Sequence, residues 1–194
     1  MKRLAFFISG TGGNALNLLK ACREGRVPAE PVLVLASSAK AAGLAKLQAE
    51  GLEGLVLERK AFASDAAFSE ACFAACDAAG ADFACLAGWL KKLAIPARWE
   101  GRILNIHPSL LPKFGGPGMY GLHVHRAVVA AGEAESGATV HLVDEVYDHG
   151  RVLAQARVPV LPGDTPEILQ QRVYGAEMDL YPKALAAFLD AGEP

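Results

Sequence analysis

Short apolar runs alternate with stretches of helical periodicity through the first half of the chain. The runs have the length of strands, and the stretches between them place apolar residues three to four positions apart, as on one face of a helix. Continuous apolar strands joined by helices are typical of a parallel sheet covered on both faces. The pattern therefore predicts an α/β fold with a mostly parallel, Rossmann-like sheet. The predicted strands are 4–8, 31–36, 55–57, 82–87 and 102–106, and the predicted helices are 14–22, 39–50 and 65–79.

The second half of the chain has a different pattern. Two longer predicted strands, 138–143 and 151–160, are separated by turn-forming residues, which favours an antiparallel addition to the sheet. A last helix is predicted to start near 164–167, where Asp164 or Thr165 can cap it, and to run to about Gly192. No internal repeat or long linker divides the chain, so we predict a single domain over residues 1–194.

Composition and charge narrow the class of protein. The chain has 194 residues, of which 52% are hydrophobic and 21% charged, as expected for a packed globular core. A net charge of −2 provides no basic excess for a nucleic-acid partner. The first apolar run ends at Ser9, which is too early for a signal-peptide core of about 7–15 residues or a membrane span of about 20. We therefore expect a cytoplasmic protein without a membrane partner.

The cysteines of the chain are expected to be buried free thiols. No Cys-x-x-Cys pair occurs, and Cys72 and Cys76 lie one helical turn apart in an alanine-rich stretch. Metal binding or a disulfide is the less favoured alternative for these residues and for Cys22 and Cys85.

A glycine-rich loop, residues 9–14, lies between the first predicted strand and the first predicted helix. Glycines let the backbone approach a ligand closely, and a helix N-terminus offers unpaired N–H groups, so the loop predicts a phosphate-sized site. Gly10, Gly12 and Ala15 also fit the degenerate dinucleotide fingerprint, but the second strand ends in Ser37-Ser38 and lacks the usual carboxylate. A phosphate monoester is favoured, with a dinucleotide or a purely structural turn as alternatives.

The strand 102–106 ends on polar, ionisable groups. Asn105 and His107 are spaced i, i+2, so both side chains lie on one face of the strand, and Pro108 and Pro112 then stop regular structure. Polar groups at the end of a buried strand suit catalysis, although a hydrogen-bonded loop histidine is an equal alternative. If the sheet is parallel, this strand end and the glycine loop share one cleft.

The remaining histidines do not form a recognisable metal motif. His123 and His125 open a predicted helix, where residues two apart do not face the same way, so capping or surface roles are favoured over metal binding. His141 is interpreted as a hydrogen-bonded wall histidine of a strand. One carboxylate of the acidic turn 144–150 could pair with His107, which would raise the pKa of the imidazole.

A Ser-His-Asp hydrolase is disfavoured because Gly-x-Ser-x-Gly is absent and Ser109 follows a proline. An amide donor, an imidazole and a carboxylate without a protein nucleophile suit acyl transfer in which a substrate amine attacks directly. Such a reaction needs an oxyanion donor and a proton shuttle but no covalent intermediate.

The strand-end segment resembles a family signature. Residues 105–112 read Asn-Ile-His-Pro-Ser-Leu-Leu-Pro, which is similar to the signature of the folate-dependent formyltransferases. The glycine loop 9–14 and the turn Asp148-His149-Gly150 narrow the resemblance to the branch that formylates the amine of glycinamide ribonucleotide in purine synthesis. The resemblance runs nearly end to end. It implies a single-domain formyltransferase fold with 10-formyltetrahydrofolate as co-substrate and no metal.

The resemblance also implies roles for individual residues. Asn105 would bond the formyl oxygen, His107 would move protons, and Asp148 would raise the pKa of His107. Residues 1–100 would form the phosphate-binding half and 101–194 the catalytic and folate-binding half, with a cis bond before Pro112. The implied glycinamide ribonucleotide contacts are Gly12, Gly13 and Asn14 for the phosphate and Glu177 for the ribose; the implied folate contacts are Leu90, Lys91, Lys92, Leu93 and Asn105.

Three departures from the family pattern stand out. Lysines occupy 91–92, where relatives often carry arginine, and Asp65 stands near a position where some relatives place a basic folate contact. Arg59 or Lys60 could supply that charge instead. The glycine-rich loop 114–121 is longer than in some relatives and is expected to be mobile.

Other functions stay open at this point. One is another 10-formyltetrahydrofolate-dependent formyltransferase or a deformylase. Two others, of different classes, are a non-enzymatic or oxidoreductase dinucleotide-binding module and a metal-dependent hydrolase. The expected partners are small-molecule substrates, and the expected assembly is a monomer or a homodimer.

Overall fold

The computed structural model describes residues 1–192 as one sheet flanked by helices. Positions 193 and 194 of the predicted domain lie outside the described residues. The strands are β1 Lys2–Ile8, β2 Ala29–Ala36, β3 Glu53–Val56, β4 Phe83–Leu86, β5 Ile103–His107, β6 Glu135–Leu142 and β7 Val152–Pro159. The helices are α1 Gly13–Arg23, α2 Ala42–Ala49, α3 Asp65–Ala78, α4 Leu122–Ala130 and α5 Pro166–Asp190.

The sheet has the order β3-β2-β1-β4-β5-β6-β7. The first five strands pair in parallel, whereas β6 and β7 are antiparallel to their neighbours, so the predicted mixed architecture is confirmed. The winding direction reverses between β1 and β4, which are adjacent although not consecutive. In open α/β sheets, ligands bind at the carboxyl ends of the strands beside such a switch point.

Both faces of the sheet are covered by apolar layers. One layer packs α1 and α5 against the sheet through residues such as Leu18 and Leu185, which are fully buried. The other packs α3 through Phe68 and Phe73, and Trp99 joins it. Because the central strands are buried from both sides, they carry the continuous apolar runs that predicted them.

The long helix α5 contains Pro182, which cannot donate to the carbonyl of residue 178. The Met178 carbonyl, which therefore lacks its usual helical donor, accepts instead from Asn17 Nδ2 on α1 at 2.7 Å. The helix therefore continues through the proline, and the hydroxyl of Tyr181 next to it lies 3.2 Å from the Leu86 carbonyl at the end of β4 and 3.1 Å from the Leu104 carbonyl near the start of β5. This contact ties α5 to β4 and β5 in the middle of the sheet.

Element boundaries differ from the prediction at a few places. The strand predicted from 138 begins at Glu135, because its first residues pair with the end of β7 even though serine and glycine rarely predict a strand. The helix predicted from 39 begins at Ala42, after a turn. Cys72, Cys76 and Cys85 are buried free thiols as predicted, whereas Cys22 is half-buried. Among residues 1–192, no helix combines the length and the apolar character needed to cross a membrane.

Candidate active site

A cleft of about 420 Å³ opens where β1, β4 and β5 end. It brings together most of the residues selected from the sequence. Gly12 and Gly13 are not part of its lining, since they lie just behind Asn14 at the start of α1. The selected residues that line it are Asn14, Leu90, Lys91, Lys92, Leu93, Asn105, His107, Asp148 and Glu177.

The glycine loop is shaped by a close approach of two helices. Gly12 caps α1 with a φ of 70°, a left-handed conformation that favours glycine. Gly43 on α2 packs directly against it: a Cβ atom at Gly43 would lie 2.7 Å from the Gly12 backbone nitrogen and Cα. The loop is thus held in place by α2, a contact that the sequence did not indicate.

Asn14 and Glu177 meet across the cleft. The Asn14 side-chain Nδ2 donates a hydrogen bond to Glu177 Oε2 at 2.8 Å, and the Asn14 Oδ1 atom is buried without a partner. Burial raises the pKa of Glu177 to about 7, although the hydrogen bond from Asn14 opposes the rise. Glu177 is buried and Asn14 half-buried, and a buried acceptor atom without a protein partner in a cleft is a candidate contact for a polar ligand.

Glu177→Gln should make the protein more stable at alkaline pH. The folded-state pKa of about 7 exceeds the ordinary 4.5, so the native state holds a proton that the unfolded state releases, and stability falls as pH rises through this window. The substitution removes this loss while glutamine still accepts from Asn14. At pH 8 the free energy of unfolding should rise by up to about 3 kcal/mol.

Urea denaturation at pH 5 and pH 8 measures this effect. The matched control is Glu53→Gln on β3, because Glu53 is exposed. An unchanged pH dependence in Glu177→Gln would contradict the raised pKa.

Asn105 is oriented by His141 on the neighbouring strand. The two residues face each other in the antiparallel register of β5 and β6. The Leu142 carbonyl lies 2.8 Å from His141 Nδ1 and can only accept, so Nδ1 carries the hydrogen. In the neutral ring Nε2 is then free to accept from Asn105 Nδ2 at 3.1 Å. This leaves the second N–H of the Asn105 amide available to the cleft.

His107 lies at the end of β5 and is almost fully buried. Its Nδ1 is 3.5 Å from Asp148 Oδ2, so the pairing expected from the sequence is present in the structure. Burial lowers the pKa of His107 below its ordinary value, although Asp148 and the Phe114 carbonyl oppose the change. Asp148 thus raises the pKa of His107, as expected, but burial of the imidazole outweighs the carboxylate and the net pKa lies below its ordinary value.

Asp148 is held in an uncommon backbone conformation with a φ of 55°. Its Oδ2 accepts from the Gly116 amide at 2.9 Å, and its Oδ1 is 3.6 Å from His141 Nε2. Burial raises the pKa of Asp148, but these contacts and His107 lower it more, so the net pKa lies below its ordinary value. Asp148 is thus a carboxylate at neutral pH that faces two imidazoles.

Residues 88–93 follow β4 and form one wall of the cleft, to which Trp89, Leu90 and Leu93 contribute apolar side chains. The Leu90 amide donates to Ser9 Oγ at 2.9 Å, which ties this wall to the end of β1. The Leu90 side chain is 53% exposed, so an apolar surface faces the cleft without a protein partner. Outside this wall, Arg59 donates to Asp65 Oδ1, so the guanidinium that could replace the family's basic contact is paired with that acid.

Some cleft residues were missed from the sequence. His125 was expected to be a capping or surface residue, but it is 1% exposed, lines the cleft and has an unpartnered Nδ1. Burial lowers the pKa of His125 to about 4. Tyr174 also lines the cleft and packs against Gly13. Its spacing of one helical turn from Glu177 was the signal that could have identified it.

The arrangement supports one kind of chemistry best. An amide donor, an imidazole with a depressed pKa and an ionised carboxylate lie in one cleft, and the serine next to them, Ser109, is fully buried with its hydroxyl bonded to the Lys113 carbonyl. Within residues 1–192, no cluster of histidine, cysteine, aspartate or glutamate has a metal-binding arrangement. These groups can stabilise a developing oxyanion and move a proton.

Comparisons with known proteins bear on this arrangement. Residues 2–185 match the sequence model of a family described as Formyl transferase. The chain is 35% identical to the phosphoribosylglycinamide formyltransferase of Haemophilus influenzae over 192 residues, 98% of this chain and 88% of that protein. The solved structure of glycinamide ribonucleotide transformylase 1 from Symbiobacterium toebii has a TM-score of 0.93 at 38% identity, covering 98% of this chain and 89% of that one.

Other relatives are much longer. The chain is 43% identical over 189 residues to a Drosophila pseudoobscura pseudoobscura protein named trifunctional purine biosynthetic protein adenosine-3. That alignment covers 95% of this chain but 14% of the relative, so the chain spans about one seventh of its length.

Proposed function

This chain belongs to the formyl transferase family, and we propose that it transfers the formyl group of 10-formyltetrahydrofolate to the amine of glycinamide ribonucleotide in purine synthesis. One observation carries the proposal. A single cleft contains a polar end with Asn14 and Glu177, an apolar wall with Leu90, and the group of Asn105, His107 and Asp148. A polar ribonucleotide and a flat, largely apolar folate therefore have complementary surfaces in one site.

The proposed binding contacts follow from the cleft. Gly12, Gly13 and Asn14 at the start of α1 hold the phosphate, since N–H groups at a helix N-terminus suit an anion. Glu177 and the unused acceptor of Asn14 serve the ribose hydroxyls. On the folate side, the apolar contacts come from Leu90 and Leu93, and Lys91 and Lys92 offer positive charge to the carboxylates of the folate tail.

The proposed reaction is direct attack by the amine. The amine nitrogen forms a bond to the formyl carbon, and the bond from that carbon to the folate nitrogen breaks. Asn105 donates to the formyl oxygen while negative charge develops on it. His107 takes the proton that the amine loses and returns it to the folate nitrogen, so no protein nucleophile or external reductant is needed. Asp148 stabilises the imidazolium between these two steps.

Neighbouring functions are less well supported. A dinucleotide-binding module would need an acidic group for the ribose at the end of β2, but Ser37 lies there and donates to Ser9 Oγ at 2.8 Å. Another folate-dependent formyltransferase or a deformylase would use the same catalytic group. These enzymes differ from the proposed one in the molecule that accepts the formyl group.

An acceptor panel tests the proposal. The protein is mixed with 10-formyltetrahydrofolate and, separately, with glycinamide ribonucleotide, its unphosphorylated riboside, amino sugars linked to nucleotides, and water alone. We expect efficient formylation of the ribonucleotide and weak formylation of the riboside. Transfer to a different amine, or hydrolysis alone, would overturn the choice of substrate.

Gly43→Ala should weaken binding of the ribonucleotide phosphate. The added Cβ would lie 2.7 Å from the Gly12 backbone, so the glycine loop must shift. Lost backbone hydrogen bonds to a charged phosphate predict a rise of about tenfold or more in KM for the ribonucleotide, with kcat nearly unchanged. Steady-state kinetics measure this, and Ala45→Gly, an exposed position on α2, controls for helix stability. An unchanged KM would mean that the loop does not hold the phosphate.

The same proposal extends to the cellular setting. We infer a cytoplasmic enzyme that acts on small molecules as a monomer or a homodimer, and its net charge of −2 favours no nucleic-acid partner.

A further inference from the structure

Ser9 belongs to the glycine loop in sequence, but its bonds go to the opposite wall of the cleft. It directly follows β1, and its backbone N–H donates to the Gly88 carbonyl at 3.1 Å. Its hydroxyl oxygen accepts from the Leu90 amide at 2.9 Å. Ser9 therefore holds the start of the wall 88–93, to which the proposed function assigns the folate, through one backbone bond and one side-chain bond.

A buried serine on the neighbouring strand orients the Ser9 hydroxyl. Ser37 directly follows β2, is 5% exposed and donates to Ser9 Oγ at 2.8 Å. The backbone N–H of Ser37 donates to the Ile8 carbonyl at 3.0 Å, which fixes Ser37 against β1. The Ser9 oxygen thus receives one hydrogen bond from the sheet and one from the wall, so the sheet sets the position of the acceptor that Leu90 uses.

The bond from Leu90 lies where the chain leaves the core and enters the cleft. Trp89, just before it, packs in the apolar core, whereas the Leu90 side chain is 53% exposed and faces the cleft. The far end of the wall is fastened by another serine, because the Ala94 amide donates to Ser69 Oγ at 2.8 Å. The wall is therefore a short irregular segment with a serine hydroxyl at each end.

The rest of the glycine loop is held by other contacts. Gly12 packs against Gly43 on α2, and the Gly43 N–H donates to the Gly10 carbonyl at 3.0 Å. These are backbone contacts on the side of α2, and they do not involve the Ser9 hydroxyl. Loss of that hydroxyl should therefore loosen the wall and leave the phosphate end of the cleft in place.

We propose that Ser9 is a positioning residue for the folate side of the cleft: its hydroxyl fixes Leu90 and the wall 88–93, although its place in the sequence suggests a role at the phosphate. Within residues 1–192, the cleft lining includes Leu90 but not Ser9, so Ser9 acts through Leu90. The assignment of this wall to a folate rests on the proposed function, whereas the contact between Ser9 and the wall does not.

The contact is tested first, without substrate. Amide hydrogen exchange at Leu90 is measured by ¹⁵N NMR in the unaltered protein and in Ser9→Ala. The Leu90 amide should exchange about tenfold faster in the variant because its acceptor is gone, whereas the Gly43 amide, bonded to Gly10, should keep its rate. An unchanged rate at Leu90 would overturn the proposal, whatever the enzyme formylates.

Steady-state kinetics then separate the two ends of the cleft. In Ser9→Ala, KM for 10-formyltetrahydrofolate should rise about five- to tenfold, as expected for the loss of one hydrogen bond, with kcat nearly unchanged. KM for the ribonucleotide should change less than about twofold. A rise in KM for the ribonucleotide alone, an equal rise in both, or no rise in either would each overturn the proposal.

Failure of the proposed function gives a different result. If the unaltered protein formylates no ribonucleotide, the assignment of the wall to a folate fails, and the exchange rate of Leu90 still decides whether Ser9 holds the wall.

Ser64→Ala is the matched control. The Ser64 hydroxyl also accepts from a backbone amide, that of Ala67 at 3.1 Å, but it caps α3 outside the cleft lining. This variant should lose stability and keep both KM values. A folate KM that rose equally in Ser64→Ala would overturn the specific role of Ser9.

Ser37→Ala provides a graded test that retains the Ser9 hydroxyl. It removes the donor that orients Ser9, so KM for the folate should rise about two- to threefold and KM for the ribonucleotide should not. If Ser9→Ala does not fold, Ser37→Ala takes its place in both measurements. An unchanged KM for the folate in Ser37→Ala would then overturn the proposal.

Discussion

Asn105→Ala should lower kcat about 100- to 1000-fold, the loss typical of removing one oxyanion donor. The Asn105 amide is aimed by His141, whose Nε2 accepts one of its N–H groups at 3.1 Å and leaves the other for the formyl oxygen. That second bond strengthens as charge develops on the oxygen, so it contributes mainly to the transition state. KM for both substrates should change by no more than a few-fold.

Asn17→Ala provides the control for this experiment. Asn17 also donates through Nδ2 to an oxygen, the Met178 carbonyl at 2.7 Å, but it lies outside the cleft lining. It should lose stability and retain kcat. If Asn105→Ala turned over near the normal rate, Asn105 could not be the oxyanion donor.

Asp148→Asn should both slow the reaction and shift its pH dependence. As a base, His107 must be unprotonated, so kcat/KM falls as pH drops below the pKa of His107 in the free enzyme. The Asp148 carboxylate, 3.5 Å away, raises that pKa against the lowering caused by burial. Removing the charge lowers the pKa further, and the acidic limb should move down by about one pH unit or more.

The rate should fall in the same variant because the imidazolium formed during transfer loses its counter-charge. We expect kcat to drop about 100-fold or more, within the range found for general acid–base assistance. Asp144→Asn is the control, since Asp144 belongs to the same acidic turn but pairs with His149 at 3.1 Å. An acidic limb that stays in place in Asp148→Asn would show that the two groups are not coupled.

The sheet was predictable because strands buried on both faces have continuous apolar sequences. Strands such as β1 and β4 must be apolar at every position when helices cover both sides, and this pattern does not depend on distant contacts. The start of β6 was not predictable, because Ser136 and Gly137 are strand residues only through their pairing with β7. Tertiary pairing there overrides local preference.

The candidate site was predictable only in part. Asn105 and His107 could be identified as polar groups at the end of a buried strand. Their hydrogen-bond and ion-pair partners, however, lie on other elements of the fold. His141 reaches Asn105 through the antiparallel register, and Asp148 reaches His107 through a turn with a positive φ. Such contacts are set by register and loop geometry, which a single sequence does not specify.

The burial of ionisable groups was the second feature that could not be predicted from the sequence. The Asp148 carboxylate raises the pKa of His107 as expected, but burial of the imidazole has the larger effect and lowers the net pKa. His125 was expected to have a capping or surface role, since residues 123 and 125 point in different directions on a helix and do not form a metal site. The structure places His125 on the buried side of α4 and His123 on the exposed side.

A single-turnover experiment with a labelled formyl group tests the central claim most directly, namely that one cleft passes the group straight between two substrates. The enzyme, in excess, is mixed with formyl-labelled 10-formyltetrahydrofolate, with and without glycinamide ribonucleotide, and quenched in denaturant at intervals. We predict that label appears in the ribonucleotide as fast as it leaves the folate, and that the denatured protein carries none. Label retained on the protein when the ribonucleotide is absent, or label released only to water, would contradict direct transfer between the two substrates.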